Sequence, residues 1–205
     1  MKNVGGLHVI TDEVFQDRFS HVELAQLAVS GGASAIQFRQ KEGSTRSLID
    51  TATAMKSVCA DVQLIVNDRV DVAIAANADG VHLGQEDFPI AKARALLGDQ
   101  AIIGGTAKTL EQVQQCIDEG ADYIGFGPIY TTGSKADAGL VKGIDGLREF
   151  VDAVDIPIIA IGGIGLENAR EVMATGARGI AVISAVCSQD NPEIATQELV
   201  ANMAL

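Results

Sequence analysis

One phrase returns four times along this chain, and its spacing limits the folds available to it. The copies are Gly-Gly-Ala-Ser-Ala-Ile-Gln-Phe-Arg (31–39), Asn-Ala-Asp-Gly-Val-His-Leu-Gly (77–84), Gly-Ala-Asp-Tyr-Ile-Gly-Phe-Gly (120–127) and Gly-Ala-Arg-Gly-Ile-Ala-Val-Ile-Ser (176–184). Each reads as a helix end, a tight Gly or Asn turn and a short buried strand. The shared alanine stands at 33, 78, 121 and 177, so the copies lie 45, 43 and 56 residues apart. One βα unit takes roughly 25 to 30 residues. A further strand and helix therefore fit between successive copies, which makes eight units. Eight βα units closing on themselves predict an α/β fold, the (β/α)8 TIM barrel, with its site at the carboxyl ends of the strands.

At 205 residues the chain is short for such a barrel, so a single domain over 1–205 is expected, with little room for insertions. A hydrophobic content of 47% with 20% charged residues suits a large buried core and argues against disorder. The net charge of −12 repels polyanions, which argues against nucleic-acid or anionic-membrane partners. A small anionic substrate stays compatible, because a local cluster of cations and loop amides dominates at short range. Cys59, Cys116 and Cys187 form no CxxC pair and read as buried free thiols. There is no basic segment leading into an apolar run, and no apolar stretch approaches the ~18 residues of a membrane span. A soluble cytoplasmic protein is expected, and self-association is left open.

Strands are predicted at Leu7–Thr11, Ala35–Gln40, Gln63–Asn67, Gly80–Leu83, Ala101–Thr106, Tyr123–Gly127, Pro157–Ile161 and Gly179–Ser184. They are apolar runs rather than alternations, as parallel strands buried on both faces require. Helix starts lie between them. Ser20 and Glu23, and again Thr109 and Gln112, have the spacing of a capping box. Ser44 precedes Leu48, Ala52, Met55 and Cys59 on one helical face, and Asn191-Pro192 reads as an N-cap with proline at the first helical position.

The predicted strand ends carry the chemistry. On a two-residue period Gln37, Arg39 and Lys41 share a face and bring two cations to the barrel mouth, although a snorkelling pair reads the same way. Asn67-Asp68 ends the third strand, and Asp87 follows the fourth. Two carboxylates from adjacent strand ends suit Mg2+, which takes one or two carboxylates beside waters and phosphate. Asn-Asp is also an ordinary turn, and Asp87 an ordinary helix cap. His8 and His82 read as hydrogen-bonded core histidines and His21 as a solvated helix residue. The long stretch from Pro128 to Gly139 reads as a binding loop or lid, with Thr132, Ser134 and Lys135 suited to an anion. The glycine turn Gly162-Gly163-Ile164-Gly165 and Ser184 stand where this architecture commonly holds a phosphate.

Five phrases in order at consecutive strand ends resemble the thiamin phosphate synthase (thiamin-phosphate pyrophosphorylase) family along nearly the whole chain. They are Gln37 to Lys41, Val66-Asn67-Asp68, Asp79 to Asp87, Gly120 to Lys135 and Ile161 to Ile164. The resemblance implies a transferase of thiamin biosynthesis. It would join a hydroxymethylpyrimidine diphosphate to a thiazole phosphate, with or without a carboxylate on the thiazole, and release pyrophosphate by dissociative substitution. It further implies that Gln37, Phe38, Arg39, Gln40, Lys41, Asn67, Thr106 and Lys135 bind the pyrimidine diphosphate. Of these, Arg39, Lys41 and Lys135 would stabilise the leaving group. Asp68 and Asp87 would hold Mg2+, while Thr132, Gly133, Ser134, Gly163, Ile183 and Ser184 would cradle the thiazole phosphate. After the fifth strand the family usually reads Gly-Val-Ser-Thr/Ala-His, where this chain has Gly104-Gly105-Thr106-Ala107-Lys108. After the sixth it usually reads Thr-x-Thr-Lys, here Thr132-Gly133-Ser134-Lys135.

Two other classes compete. A thiazole tautomerase-like paralogue would transfer a proton with a histidine where this chain has Lys108, and would not be expected to keep both the Arg-x-Lys pair and the two carboxylates. A non-catalytic phosphate-ligand binding barrel would bind without turnover. Fold alone does not separate the three.

Overall fold

The eight strands of the computed structural model are β1 Gly6–Thr11, β2 Ala35–Phe38, β3 Gln63–Asn67, β4 Gly80–Leu83, β5 Ile102–Thr106, β6 Tyr123–Phe126, β7 Ile158–Ile161 and β8 Gly179–Val182. Residues 2–133 and 139–204 are described. Each strand pairs in parallel with the next, and β1 also pairs with β8, which closes the sheet into a barrel. The helices are α1 His21–Ser30, α2 Thr45–Val58, α3 Val70–Ala75, α4 Ile90–Leu97, α5 Leu110–Asp118, α6 Gly143–Asp152, α7 Ala169–Met173, α8 Ser184–Cys187 and α9 Pro192–Met203. Among the described residues no helix is long and apolar enough to cross a membrane.

Strand alternation divides the buried side chains into two cores. Leu7, Val9, Ile36, Phe38, Ile180 and Val182 point outward and pack against the helices. Ile10, Ile65, Ile102, Tyr123, Ile159, Ala181 and Ile183 point inward and fill the barrel. Both faces are largely buried, which is why the strands read as apolar runs.

Local signals account for the helix starts. Ser20 and Glu23 form a complete capping box, Ser44 caps α2, and Asn191 caps α9 ahead of Pro192. Leu48, Ala52, Met55 and Cys59 are buried along one face, as their spacing requires. The second expected box is altered. Thr109 accepts from the Gln112 N–H, but the Gln112 side chain reaches the Lys108 N–H instead of the cap residue.

Some boundaries shift. β2 ends at Phe38 rather than Gln40, although the Arg39 N–H still reaches Thr11 O at 3.2 Å. β8 ends at Val182, because the chain turns at once into α8, whose first residue is Ser184. Asp87 does not cap α4, which begins after Pro89; its carboxylate instead accepts the Gly84 N–H at 2.7 Å and closes the preceding turn.

His21 corrects the sequence expectation. It is 1% exposed, with Nδ1 2.8 Å from Thr11 Oγ1 and its ring edge-on to Phe38. It opens α1 on the side that packs against the barrel, a placement its polar neighbours Ser20 and Glu23 conceal. The three cysteines are free and buried, and burial pushes the Cys59 thiol to about 11 and the Cys187 thiol to about 12. Such thiols are inert near neutral pH.

Candidate active site

The carboxyl ends of the strands gather the charged side chains. The β1 end contributes Asp12, which sequence reasoning did not single out. Its carboxylate is buried, accepts the Val14 N–H at 2.9 Å and pairs with Arg39 Nη1 from the β2 end. Arg39 Nε is also buried and has no hydrogen-bond partner among the described residues. Gln37 lies one layer deeper inside the barrel, 5% exposed. Lys41 is exposed and places Nζ 2.8 Å from Asp68 Oδ2 at the β3 end.

Phe38 and Gln40 are placed away from this cluster. The two-residue period that turns Gln37 and Arg39 inward turns Phe38 outward, into the core against the helices and onto His21. Gln40 borders a cleft with Leu48, Val66 and Arg69 on the same outer side. A contact of either residue with a ligand in the mouth would have to come from its backbone. The contiguous phrase around Arg39 therefore mixes the two faces of one strand.

At the ends of β3 and β4 two carboxyl groups meet. Asp68 has φ +62, a left-handed conformation uncommon outside glycine. It is held there by its N–H, which donates to His82 O at 2.9 Å. Burial, a hydrogen bond shared with Asp68 and the Asp68 charge push the Asp87 carboxyl above its usual range, against the Gly84 N–H and Lys41. Two carboxyl oxygens in hydrogen-bond contact need a proton or a cation between them. That observation fits a hard divalent ion held by Asp68 and Asp87, with its other positions left to water and phosphate. Among the described residues no group of three or more His, Cys, Asp or Glu gathers as a metal site, so a cage made only of protein side chains is not built here.

A polar network lines the wall beside them. His82 places Nδ1 3.0 Å from the Tyr123 hydroxyl and Nε2 2.9 Å from Thr106 Oγ1. Gln85 Nε2 donates to Thr106 O at 2.7 Å. Burial pushes the Tyr123 hydroxyl far up, so the phenol stays neutral. Glycines make the space: a Cβ on Gly104 would lie 2.5 Å from His82 Nδ1, and one on Gly125 would lie 2.9 Å from His82 Cε1. His82 is thus a hydrogen-bonded interior histidine, as its pattern suggested. Asn67 pairs with His82 in register and is half-buried. His8 sits deeper, with Nε2 2.9 Å from Val4 O.

The other side of the mouth is built from backbone. Gly162 and Gly163 have φ +100 and +68, and a Cβ on Gly163 would lie 2.6 Å from Thr131 O. Only glycine lets this turn pack against the loop after β6. The Ile129 and Tyr130 N–H groups donate to Ile161 O and Gly162 O, which ties that loop to the β7 end. Thr132 is half-buried and Gly133 exposed. Ser134 and Lys135 lie outside the described residues. Ile183 is buried among the interior residues, and Ser184 is exposed at the first turn of α8. Lys108 is exposed, and a Cβ built on Gly139, beyond the same loop, would lie 3.4 Å from its Nζ.

A cavity of about 390 Å³ opens at the opposite end of the barrel, beside Lys2, Val4, Ile156 and Arg178. It holds none of the candidate site residues at the mouth. The mouth, where carboxylates and cations converge, is the better candidate.

Comparison with known proteins shows the family. The family model described as Thiamine monophosphate synthase matches residues 7–186. A thiamine-phosphate synthase of Salinibacter ruber is 51% identical over 197 residues, covering 95% of this chain and 87% of its own. One from Methanocella arvoryzae is 49% identical over 195 residues, covering 94% and 92%. The solved thiamine phosphate pyrophosphorylase of Pyrococcus furiosus superposes with a TM-score of 0.89 at 42% identity, over 98% of this chain and 96% of that one. On the family match, the relatives and the barrel, the chain belongs to the thiamine monophosphate synthase family of transferases.

Proposed function

We propose that this chain joins a hydroxymethylpyrimidine diphosphate to a thiazole phosphate, carboxylated or not, and releases pyrophosphate. The observation that carries the reading is the meeting of Lys41, Asp68 and Asp87 at adjacent strand ends, beside the Arg39 guanidinium. Arg39 and Lys41, with Lys135 from the loop after β6, bind the diphosphate and stabilise the charge that grows on it as the C–O bond breaks. Asp68 and Asp87 would hold Mg2+, which supplies further charge neutralisation at the diphosphate oxygens when bound. Gln37, Asn67 and Thr106 orient the pyrimidine, Thr106 being held from behind by His82. Thr132, Gly133, Ser134, Gly163, Ile183 and Ser184 cradle the thiazole phosphate, so that the thiazole nitrogen stands close to the carbon left electron-poor. No protein nucleophile is required. Such chemistry on small phosphorylated metabolites is expected in the cytoplasm.

The direct test incubates both phosphorylated substrates with the protein and Mg2+ and follows thiamin phosphate and pyrophosphate. Arg39→Ala or Lys135→Ala should lower kcat and kcat/KM together by about 10²- to 10³-fold. Absence of both products with folded protein would refute the reading.

A further inference from the structure

Arg39 and Lys41 stand two residues apart on the same strand end but are held differently. Lys41 has a side chain 54% exposed and meets a carboxylate that is itself part of the mouth. Arg39 has a side chain 13% exposed and meets Asp12, whose side chain is 3% exposed. We propose that Asp12 is a positioning residue for the diphosphate-binding guanidinium of Arg39 and acts on the reaction only through it. This inference rests on the assignment of Arg39 to the diphosphate made above.

Three features carry it. First, the Asp12 carboxylate cannot turn freely, because one oxygen accepts the Val14 N–H at 2.9 Å and so caps the 3-10 turn Glu13–Phe15. The other oxygen takes Arg39 Nη1. Second, the backbones on both sides are registered. Thr11 pairs with Phe38, and the Arg39 N–H reaches Thr11 O, so the two side chains leave fixed points on adjacent strands. A guanidinium held at one nitrogen by such a partner, on a side chain only 13% exposed, is restricted in where its remaining donors point. Third, the grip is not saturating. Arg–carboxylate pairs frequently engage the fork side-on through two nitrogens, whereas Arg39 Nε stays buried with no acceptor among the described residues. A cation held at one corner, with donors left over, is prepared for an anion.

The test is a double-mutant cycle with Asp12→Asn and Arg39→Ala. Kinetics are measured with the pyrimidine diphosphate varied, and thermal melts are recorded alongside. Asp12→Asn keeps an acceptor for the Val14 N–H and removes the charge that orients Arg39. It should lower kcat/KM by about 10- to 100-fold, the scale of a displaced binding group. In the Arg39→Ala background the same change should cost less than about 3-fold, because the group it positions is gone. Asp12→Ser, which also caps the turn, should repeat the result. Normal kinetics in Asp12→Asn, or an undiminished loss in the Arg39→Ala background, would overturn the proposal while leaving the assignment of Arg39 intact. Normal activity in Arg39→Ala alone would refute that assignment and the proposal with it. If neither Asp12 variant folds, Asp12 serves the fold and the proposal fails.

Discussion

Replacing Gly104 by alanine puts one methyl group across a hydrogen bond inside the barrel. Gly104 is paired in register with His82 on one side and Tyr123 on the other. The His82–Tyr123 bond of 3.0 Å spans it. The added Cβ would lie 2.2 Å from Tyr123 Cζ and 2.5 Å from both the Tyr123 hydroxyl and His82 Nδ1. Normal carbon contacts are about 3.5 to 4.0 Å, so both rings must move by an ångström or more. Tyr123 is 1% exposed and has nowhere to go. Overpacking costs about 1–3 kcal/mol, and a buried hydroxyl left unpaired costs about 1–3 kcal/mol more. The stiffer unfolded chain returns about 0.4–1 kcal/mol. A net loss of about 3 kcal/mol corresponds to a fall in Tm of about 6–12 °C for a domain of this size. Displacing His82 also releases Thr106, so the surviving protein should lose activity. Gly146→Ala is the matched control: it lies within α6, where the nearest atom to a new Cβ is Lys142 Cβ at 3.7 Å. It should stabilise by about 0.5–1 kcal/mol. Thermal and denaturant melts of the two variants decide the matter. A Gly104→Ala protein melting within about 1 °C of the parent would show that the barrel interior is not packed as described.

Three further outcomes follow from the same structure. Burial pushes His8 from 6.5 down to about 4, so its imidazole stays neutral in the folded protein while in the unfolded chain it takes up a proton. Stability from this residue is full above pH 6.5 and declines by up to about 3 kcal/mol as pH falls towards 4; His8→Asn should flatten that slope in denaturant melts, and an unchanged slope would refute the assignment. Asp87→Asn should lower Mg2+-supported turnover by about 10-fold or more, and full activity in excess chelator would remove the metal from the mechanism. Ser184→Ala should raise the KM for the thiazole phosphate by about 3- to 30-fold with kcat nearly unchanged; a loss in kcat at fixed KM would place the two substrates the other way round.

The repeat spacing, the apolar runs and the helix caps determined the barrel, because each is a local pattern with a single period. Closure of β1 on β8 followed from counting eight units. The strand-end positions of Arg39, Lys41, Asp68 and Asp87 were legible for the same reason: in a parallel barrel the segments after the strands all emerge at one end. Partners were not legible. A two-residue period separates Gln37 and Arg39 from Phe38 but says nothing of what stands opposite, so nothing set Asp12 against Arg39 until β1 lay beside β2. His82 with Tyr123 and Thr106 needed three strands side by side, and the glycines that make room for them, Gly104 and Gly125, stand inside predicted strands with nothing in the sequence to say what they face. His21 looked solvated because its polar neighbours on α1 are exposed, whereas burial depends on which helical face meets Thr11 and Phe38. Side-chain type and period belong to the chain alone. Pairing across the closed sheet, and the carboxyl contact that raises Asp87, belong to distances that exist only once the barrel has formed.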